Sequence, residues 1–539
     1  MKRNLLVLIG YIISIVSFAQ QEDAWVYLTD KQNATYSTNN PIDFLTQKAI
    51  DRKNAHGVVI DERDFPVNEN YISQLKLQPG ITVLAKSKWF NAVHVRGMEI
   101  AINALSMLSF VASIDFANKS LNTLKRDFVK KQSKIEEVSV SFNYGDAFNQ
   151  IEMIKGEQLH LSDYTGNGVT IAVLDGGFTN VNTMLSFKRL RDAGHLLGEH
   201  DFVDNDEDVY SNTTTDHGTW VLSTMAGYLE NQYVGTAPDA SYYLFITEDG
   251  NSENPVEESY WVEAAELADS LGVDIINTSL GYTTFDNPNY NYSTSDMNGN
   301  TAFISKGANI AFEKGILLVN SAGNSGNDSW QIVGAPADAP GVLSVGAVTS
   351  TGSYASFSSI GGFFQPTQKP DVVAQGQASY IIDRNDAIAT SNGTSFSSPI
   401  LAGGIACLWQ ALPNKTNAEI MQLVRESASQ YNTPDNFLGF GIPNLQLALN
   451  NALSMDTSDK FTTELKIFPN PTNDKLYFNL PSNETDCSVQ IYDILGKRAL
   501  YSRLNVGINE LDMSFISKGV YIANVQLRNR SKSYKIIKN

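Results

Sequence analysis

Short apolar runs alternate with longer helix-like stretches between residues 140 and 453. Helix-like stretches include ESYWVEAAELADSLG and TAFISKGANIAFEKG. The runs that we interpret as buried strands are VTIAVLD (169–175), VDIINTSL (273–280), ILLVNSAG (316–323) and VLSVGAV (342–348). Such alternation predicts a mostly parallel sheet covered by helices on both faces, so the expected fold class is α/β. In sheets of this kind, ligand sites lie at the carboxyl ends of the strands.

The sequence on either side of this region has a different pattern. At 539 residues the chain is too long for one ordinary domain. Residues 20–118 mix β-like and helix-like runs, which predicts a small α+β unit, and the charged stretch 119–139 is interpreted as a linker. The polar segment 454–463 predicts a second linker, and residues 464–539 have the short strands and turns of a small β-sandwich.

The first 19 residues have the features of a signal peptide. Lys2 and Arg3 precede the apolar stretch LLVLIGYIISIV, and Ala19 ends a small-residue segment suited to cleavage. The stretch is short for a membrane span and polar residues follow at once, so a transmembrane anchor is the less favoured alternative. The formal net charge of −19 argues against nucleic acid and anionic membranes as partners. These features predict a protein that acts outside the cell.

The chain has two cysteines, Cys407 and Cys487. They fall in different predicted domains, so we expect no disulfide. The sequence has neither the paired cysteine spacing of a zinc site nor a His-Glu-x-x-His motif, which argues against a metalloprotease. Packing or bound ions, rather than cross-links, are therefore expected to stabilise the folds.

Four serines lie in the stretch TSNGTSFSSP, residues 390–399. Ser395 follows a Gly-Thr pair and opens a long apolar run, so we expect it at a helix N-terminus, beside free N–H groups and the positive end of the helix dipole. Pro399 is then expected in the first turn, where proline is tolerated. A plain N-cap serine is the alternative. The segment is not a Gly-x-Ser-x-Gly elbow, because Ser397 stands where the last glycine would be.

A serine nucleophile needs a histidine base, and the base needs a carboxylate to hold its tautomer. His217, in DHGTWVLSTMAG, precedes a glycine that allows close backbone approach, and a helix-like run begins there. Asp175 ends the strand-like run VTIAVLD, where a buried carboxylate must be paired. Taken singly, a turn aspartate and an ordinary core or surface histidine are the alternatives. The chain order Asp175, His217, Ser395 is that of subtilisin.

Residues 140–453 resemble the subtilisin (S8) family of serine proteases. VLDGG, DHGT and GTSFSSP each match one of the family's three catalytic motifs, in order and with suitable spacing. The resemblance implies a secreted serine endopeptidase that hydrolyses peptide bonds through a triad of Asp175, His217 and Ser395 and an acyl-enzyme intermediate. The Gly-Gly after VLD and the Phe in GTSFSSP differ from the more common residues and indicate a divergent branch.

Further motifs extend this resemblance. SAGNSG matches the oxyanion-hole motif, which implies that Asn324 is a side-chain donor to the oxyanion. TSLGY matches the substrate strand, which implies that Ser279, Leu280 and Gly281 pair with an extended peptide. By the same matching, Gly334 in IVGAPADAP would lie at the floor of the first specificity pocket.

The resemblance also implies roles for the flanking units. Residues 20–118 would be a propeptide that assists folding and inhibits the enzyme until cleavage within 119–139; a permanent accessory domain is the alternative. Residues 464–539, with FPNPTND, YDILGK and GVYIANVQ, resemble the type IX secretion sorting domain of Bacteroidetes; a β-sandwich that binds carbohydrate or protein is the alternative. The expected partners are protein or peptide substrates, the propeptide and the type IX secretion machinery, and the expected location is secreted or cell-surface.

This chemistry requires no cofactor, although many relatives bind a structural calcium ion. In DFVDNDEDVY, Asp204, Asp206 and Asp208 alternate as in a calcium loop. The glycine and closing glutamate of an EF-hand are missing, so we favour a solvated acidic loop and assign no metal ligands.

Two other functions are weighed against a subtilisin-like protease. An enzyme of the sedolisin type shares the Gly-Thr-Ser motif but uses Glu and Asp at acid pH, and DHGT argues against it. Loss of activity below about pH 6 would favour His217 as the base. A surface binding protein with a decayed site is the second alternative, which the presence of all four catalytic residue types argues against.

Overall fold

The computed structural model describes residues 21–31, 36–122, 142–211, 215–462, 466–480, 487–493, 498–527 and 530–539. The predicted signal peptide (1–19) and most of the predicted linker 119–139 lie outside these residues. The chain divides into two compact units, residues 1–449 and 450–539. Within the first, we distinguish an N-terminal subdomain (21–122) and a sheet subdomain (142–449).

The N-terminal subdomain combines one antiparallel sheet with short helices. Its elements are β1 (Gln21–Leu28), α1 (Gln47–Ala55), α2 (Glu69–Lys76), β2 (Ile81–Ser87), β3 (Ala92–Met98), α3 (Glu99–Ala104) and β4 (Val111–Phe116). The strand order is β2-β3-β1-β4. Apolar side chains of the sheet and helices form a core of their own. The predicted α+β pattern is present.

The sheet subdomain contains a seven-stranded parallel sheet. Its elements are α4 (Phe148–Glu152), α5 (Gly156–His160), β5 (Thr170–Asp175), α6 (Lys188–Asp192), β6 (Leu196–Asp201), α7 (His217–Ala226), β7 (Tyr228–Leu229), β8 (Tyr233–Val234), β9 (Ser241–Ile246), α8 (Val256–Leu271), β10 (Ile275–Thr278), α9 (Phe303–Glu313), β11 (Leu317–Ser321), β12 (Val342–Val348), β13 (Val372–Gln375), β14 (Ser379–Ile382), β15 (Ile388–Ser391), α10 (Thr394–Ala411), α11 (Asn417–Glu426) and α12 (Leu445–Thr462). The sheet order is β13-β12-β11-β10-β5-β9-β6, with every pair parallel. The predicted α/β class is confirmed.

Burial explains why these strands have such continuous apolar sequences. Every residue of β5, β10, β11 and β12 is buried, as expected for parallel strands covered by helices on both faces. Among the flanking helices, α7 packs against α10 and α8 packs against α9. Because all seven strands run in one direction, their carboxyl ends meet at a single edge of the sheet.

The N-terminal subdomain packs on α8 and α9. The carboxylate of Glu266 in α8 accepts hydrogen bonds from the backbone N–H groups of Lys88 (2.8 Å) and Trp89 (2.9 Å) between β2 and β3. Trp25 of β1 stacks on Phe303 of α9, with ring centroids 4.6 Å apart. Charge-assisted hydrogen bonds and aromatic packing therefore join the two subdomains.

A buried network of charges forms a second contact between the subdomains. Lys53 of α1 lies 2.8 Å from Asp269 of α8 and 3.2 Å from Asp64. Arg52 also reaches Asp269, at 2.5 Å, and Lys314, just after α9, reaches Asp64 at 2.8 Å. All five side chains are at most 3% exposed. Removal of one partner would leave an uncompensated buried charge.

The C-terminal unit is built from antiparallel strands. They are β16 (Lys466–Phe468), β17 (Lys475–Leu480), β18 (Cys487–Asp493), β19 (Arg498–Leu504), β20 (Gly507–Asp512), β21 (Gly519–Leu527) and β22 (Arg530–Lys538). Two sheets, β16-β17-β20 and β19-β18-β21-β22, contribute to one buried apolar cluster. The backbone of α12 is helical to Thr462, through most of the segment 454–463 that the sequence predicts as a linker.

Both cysteines are packing groups. Cys407 and Cys487 are both buried. The Cys407 thiol donates a hydrogen bond to the carbonyl oxygen of Thr236 at 3.2 Å. Among the residues that the structure describes, no helix combines the length and the hydropathy needed to cross a bilayer.

The substitution Asp269→Asn is expected to destabilise the intact chain by about 3–5 kcal/mol, because it leaves Arg52 and Lys53 buried without their shared carboxylate. The measurement is urea unfolding of the full chain, with intact mass confirming that both subdomains are present.

The matched control for this prediction is Asp192→Asn. It removes a carboxylate from an exposed ion pair with Lys188, in which the side chains are 62% and 60% exposed. A surface pair of this kind contributes at most about 1 kcal/mol. Equal losses for the two variants would contradict a stabilising role for the buried network.

Candidate active site

The predicted site residues converge at the carboxyl edge of the sheet. Asp175 is the last residue of β5, Ser279 follows β10, and Asn324 comes shortly after β11. These three strands are neighbours in the sheet. His217 begins α7, and Ser395 is the second residue of α10. The site is thus assembled from strand ends and helix N-termini.

Asp175 and His217 form a hydrogen-bonded pair. The Nδ1 of His217 lies 2.8 Å from the Oδ1 of Asp175, which also accepts a hydrogen bond from the Gly176 N–H at 2.8 Å. The Asp175 side chain is 3% exposed, whereas that of His217 is 32% exposed. With Nδ1 donating to the carboxylate, Nε2 is the ring atom left to take up a proton.

Gly218 permits this close approach. A Cβ atom at this position would lie 2.6 Å from the carbonyl oxygen of Gly177 and 3.1 Å from the Cβ of Asp175. Any larger residue would therefore push the start of α7, and His217 with it, away from the end of β5. The close approach expected from the glycine after His217 is present.

The charges around His217 favour its protonated form. Burial acts to lower the pKa of His217, but the charge of Asp175, its hydrogen bond and the charge of Asp216 act in the opposite direction and prevail. The pKa of His217 therefore lies above its ordinary value of about 6.5. Asp216 is itself kept ionised, because a hydrogen bond from Arg384 at 2.6 Å holds its pKa below the usual range.

Ser395 lies at the N-terminus of α10 and is 8% exposed. Its hydroxyl donates a hydrogen bond to the carbonyl oxygen of Ser279 at 3.2 Å. Gly393, which precedes the helix, has φ 152° and ψ 148°, a backbone conformation almost confined to glycine. The His217 ring lies beside the next residue of the helix, with its centroid 6.0 Å from that of Phe396.

Pro399 is not in the first turn of α10, where the sequence analysis places it. The helix begins at Thr394, so the proline is its sixth residue. Proline has no N–H, and the carbonyl of Ser395, four residues earlier, therefore loses its helical partner. The hydroxyl of Ser279 donates to that carbonyl oxygen at 2.9 Å. This hydrogen bond replaces the missing one and ties α10 to the end of β10.

The amide of Asn324 is oriented by Thr394. Its Oδ1 accepts hydrogen bonds from the Thr394 N–H at 2.9 Å and the Thr394 hydroxyl at 3.1 Å. Because the oxygen is held in this way, the exposed Nδ2 group keeps its donors for another acceptor. Thr394 was not among the predicted site residues, although its place directly before Ser395 was a usable signal.

The segment 279–281 runs along the edge that follows β10, and Gly281 is exposed. The next residue, Tyr282, donates its N–H to the carbonyl oxygen of Ala335 at 2.8 Å. Gly334 lies beside this pair, because a Cβ on Gly334 would be 3.6 Å from the carbonyl oxygen of Tyr282. The predicted substrate strand and Gly334 are therefore neighbours.

The other serines of the stretch 390–399 have separate contacts. The Ser397 hydroxyl donates to the carbonyl oxygen of Thr394 at 3.0 Å, and the Ser398 hydroxyl donates to the Oδ1 of Asn277 at 3.0 Å. Ser391 ends β15 and is not part of α10. Ser395 is thus the serine of this stretch that is hydrogen-bonded to segment 279–281, and the next residue, Phe396, has its ring beside that of His217.

The acidic loop after β6 binds its own backbone. The Oδ1 of Asp206 accepts a hydrogen bond from the Asp208 N–H at 2.8 Å, and the Oδ1 of Asp208 accepts one from the Tyr210 N–H at 3.1 Å. Within the described ranges, no group of three or more His, Cys, Asp or Glu side chains could hold a metal ion.

One carboxylate at this edge was missed from the sequence. Glu248 follows the end of β9 and accepts a hydrogen bond from the hydroxyl of Tyr282. Glu248 could have been found from the sequence, because it follows the strand-like run SYYLFI and ligand sites lie at strand ends.

An aspartate–histidine pair beside a serine at a helix N-terminus is the arrangement typical of serine hydrolases. Comparison with known proteins identifies the family. Residues 166–441, more than half of the chain, match the subtilase family. The chain therefore belongs to the subtilase family and is a subtilisin-like serine endopeptidase.

Several subtilisins are similar to this chain. Subtilisin NAT of Bacillus subtilis subsp. natto is 29% identical over 375 residues, which cover 68% of this chain and 87% of that protein. The subtilisin of Bacillus pumilus is 31% identical over 301 residues, which cover 55% of this chain and 97% of that protein. Subtilisin DY of Bacillus licheniformis is 30% identical over 302 residues, with the same coverage.

The flanking regions match two further families. Residues 23–136 match the peptidase S8 propeptide domain of Bacteroidota, so the protein is made as a zymogen. Residues 466–539 match the secretion system C-terminal sorting domain. This sorting domain, of the type IX system, indicates export across the outer membrane to a secreted or cell-surface location. These matches favour the propeptide and the sorting domain over the alternatives considered from the sequence.

We expect kcat/KM for peptide hydrolysis to fall on acidification, with a midpoint above pH 6.5. A base must be neutral to accept a proton, and the pKa of His217 is raised. Asp216→Asn removes one of the charges that raise it, so the midpoint should move to lower pH. The measurement is the pH profile of the processed enzyme.

The control for this profile is Asp192→Asn, which removes an exposed carboxylate on α6 and should leave the midpoint unchanged. Full activity near pH 4 in the wild type would contradict the role of His217 and would favour the sedolisin-type alternative.

Proposed function

We propose that this subtilase hydrolyses peptide bonds through Asp175, His217 and Ser395. The Ser395 Oγ attacks the carbonyl carbon of the scissile bond while the Nε2 of His217 takes the hydroxyl proton. The tetrahedral intermediate collapses, the C–N bond breaks, and His217 gives the proton to the leaving amine. Water, deprotonated by His217, then attacks the acyl-enzyme ester and releases the carboxylic acid and the Ser395 hydroxyl.

The observation that carries this proposal is the 2.8 Å hydrogen bond between Asp175 and His217. It fixes the tautomer in which Nε2 is free, and the nearly buried carboxylate stabilises the imidazolium that forms during each step. The hydroxyl of Ser395 is bonded to Ser279 in the free enzyme, and the proposal requires it to turn from that oxygen toward Nε2 when substrate binds. Catalytic hydrogen bonds commonly tighten only when substrate is bound.

Asn324 and the backbone N–H of Ser395 are the proposed oxyanion donors. Thr394 holds the Oδ1 of Asn324, which leaves Nδ2 to donate. The N–H of Ser395, in the first turn of α10, has no helical acceptor. Two preorganised donors at the oxygen that becomes negative would stabilise the transition state more than the substrate.

The proposed peptide-binding residues are Ser279, Leu280, Gly281 and Gly334. An extended substrate would add to segment 279–281 as an antiparallel strand. The side chain before the scissile bond would then enter the pocket whose floor is Gly334. Residues 20–118, as the propeptide, are proposed to assist folding and to inhibit the enzyme until cleavage within 119–139.

The proposed mechanism is tested by peptide turnover. All variants are processed by one added protease at a site engineered into residues 119–139, so that self-processing is not required. Ser395→Ala and His217→Ala should each lower kcat by roughly 10⁵-fold or more, whereas Ser391→Ala should not. Persistent turnover by Ser395→Ala would refute the assignment, and an inactive wild type would favour the binding-protein alternative.

Asn324→Ala is expected to lower kcat by about 100–1000-fold with little change in KM, a range established with the equivalent donor of a subtilisin. The reason is that its Nδ2 would contact the substrate oxygen strongly only in the transition state. The matched control is Asn385→Ala, an exposed asparagine between β14 and β15. A rise in KM with unchanged kcat would instead assign Asn324 to ground-state binding.

A further inference from the structure

Glu248 lies at the edge of the sheet that carries the proposed triad. It follows β9, the neighbour of β5. The N–H of Thr247, the preceding residue, donates to the carbonyl oxygen of Asp175 at 3.1 Å. A Cβ on Gly176 would lie 3.6 Å from the Cβ of Glu248. The side chain therefore starts directly beside the residue that follows Asp175.

The carboxylate of Glu248 is directed toward the proposed peptide-binding segment. The hydroxyl of Tyr282 donates a hydrogen bond to its Oε1, and Tyr282 directly follows segment 279–281. Gly334 lies beside the backbone of the same tyrosine, where Ala335 pairs with Tyr282. Glu248, at the hydroxyl of Tyr282, and Gly334, at its backbone, therefore both lie next to the end of the proposed binding segment.

The groups around Glu248 are acidic. In the described part of the chain, the carboxyl groups of Glu257, Glu253 and Asp175 act on it. Burial is the main reason why the pKa of Glu257 is raised to about 8 and that of Glu253 to about 7. Burial and these like charges raise the pKa of Glu248 well above its ordinary value, against the opposing effect of the Tyr282 hydroxyl. A desolvated carboxylate is tolerated poorly unless it is paired, so a cation bound here would be strongly favoured.

We propose, on the basis of the proposed function, that Glu248 binds a lysine or arginine side chain of the substrate, at the second or fourth residue before the scissile bond. Side chains alternate along an extended strand. If the residue before the scissile bond points toward Gly334, the second and fourth point toward Glu248. The protein is therefore a protease for peptides with a basic residue on that face.

The chain's own processing region belongs to this class of substrate. Its sequence, KSLNTLKRDFVKKQSKIEE, contains the pairs Lys125–Arg126 and Lys130–Lys131. Lys119, at its start, lies 4.0 Å from the ring centroid of Tyr292, whose N–H donates to the carbonyl oxygen of Thr283 at 3.0 Å. The chain thus leaves the N-terminal subdomain beside the Tyr282 end of the binding segment, where an antiparallel peptide would begin.

The net charge of −19 supports the same inference. An acidic protein attracts cationic peptides over distances longer than a single contact. Such attraction does not select a position in the peptide, whereas a contact with Glu248 does. A preference for lysine at one position of the peptide would therefore distinguish a contact with Glu248 from long-range electrostatic attraction.

The test compares peptides that differ only at the second or fourth position before the scissile bond, with lysine or with norleucine, its uncharged counterpart. The processed wild-type enzyme should prefer lysine at one of these positions by roughly 10- to 100-fold in kcat/KM, the size expected for one charge-assisted hydrogen bond. Glu248→Gln should reduce the ratio to near one. Asp286→Asn, which removes a nearby exposed carboxylate, should retain it.

Each outcome separates this inference from the proposed function. If the wild-type enzyme cleaves norleucine and lysine peptides equally at both positions, the inference is wrong while the proteolytic function stands. If it cleaves neither, the proposed function fails. An equal loss of the preference in Asp286→Asn and Glu248→Gln would assign selectivity to the general field and overturn the contact. If Glu248→Gln does not fold, the wild-type enzyme's kcat/KM for lysine and norleucine peptides still tests whether a basic residue is preferred at one position.

Discussion

The common direction of the seven strands of the central sheet is the constraint on which the active site depends. Because β5, β10 and β11 are parallel neighbours, the residues that follow them emerge side by side at one edge. Helices α7 and α10 start at that same edge, which places their unpaired N–H groups and dipoles there. No single loop could assemble Asp175, His217, Asn324 and Ser395; the sheet brings them together from positions up to 220 residues apart.

Buried or partly buried ionisable groups occur at three places: the proposed catalytic site, the contact between the N-terminal and sheet subdomains, and Glu248. Asp175 is tolerated at the end of β5 because His217 and a backbone N–H share its Oδ1. The Lys53–Asp269 network is tolerated because each buried charge has an opposite partner. Glu248 differs from both, since its described hydrogen-bond partners are the neutral hydroxyls of Tyr282 and Thr247. In the free enzyme, burial therefore raises the pKa of Glu248. A cationic side chain of the substrate would supply the opposite charge that Glu248 lacks.

Much of this arrangement could be predicted from the sequence because it follows from strong local patterns. Continuous apolar runs predicted the parallel strands, and a polar residue at a strand end predicted Asp175. Ser279 and Asn324 were predicted from motifs that resemble those of the subtilisin family. Pro399 was misplaced because helix boundaries depend on tertiary contacts, here a hydroxyl that replaces a missing N–H. The Lys53–Asp269 network could not be predicted, because it depends on contacts between residues distant in sequence.

Fluorophosphonate labelling of the processed protein, followed by mass-spectrometric mapping of the modified peptide, tests directly whether Ser395 is the activated nucleophile. Fluorophosphonates react with serines that an adjacent base has activated, and the reaction requires no knowledge of the natural substrate. We expect one adduct, on Ser395, that is absent from Ser395→Ala and strongly reduced in His217→Ala. An unlabelled wild-type protein, or an adduct on another serine, would contradict this expectation.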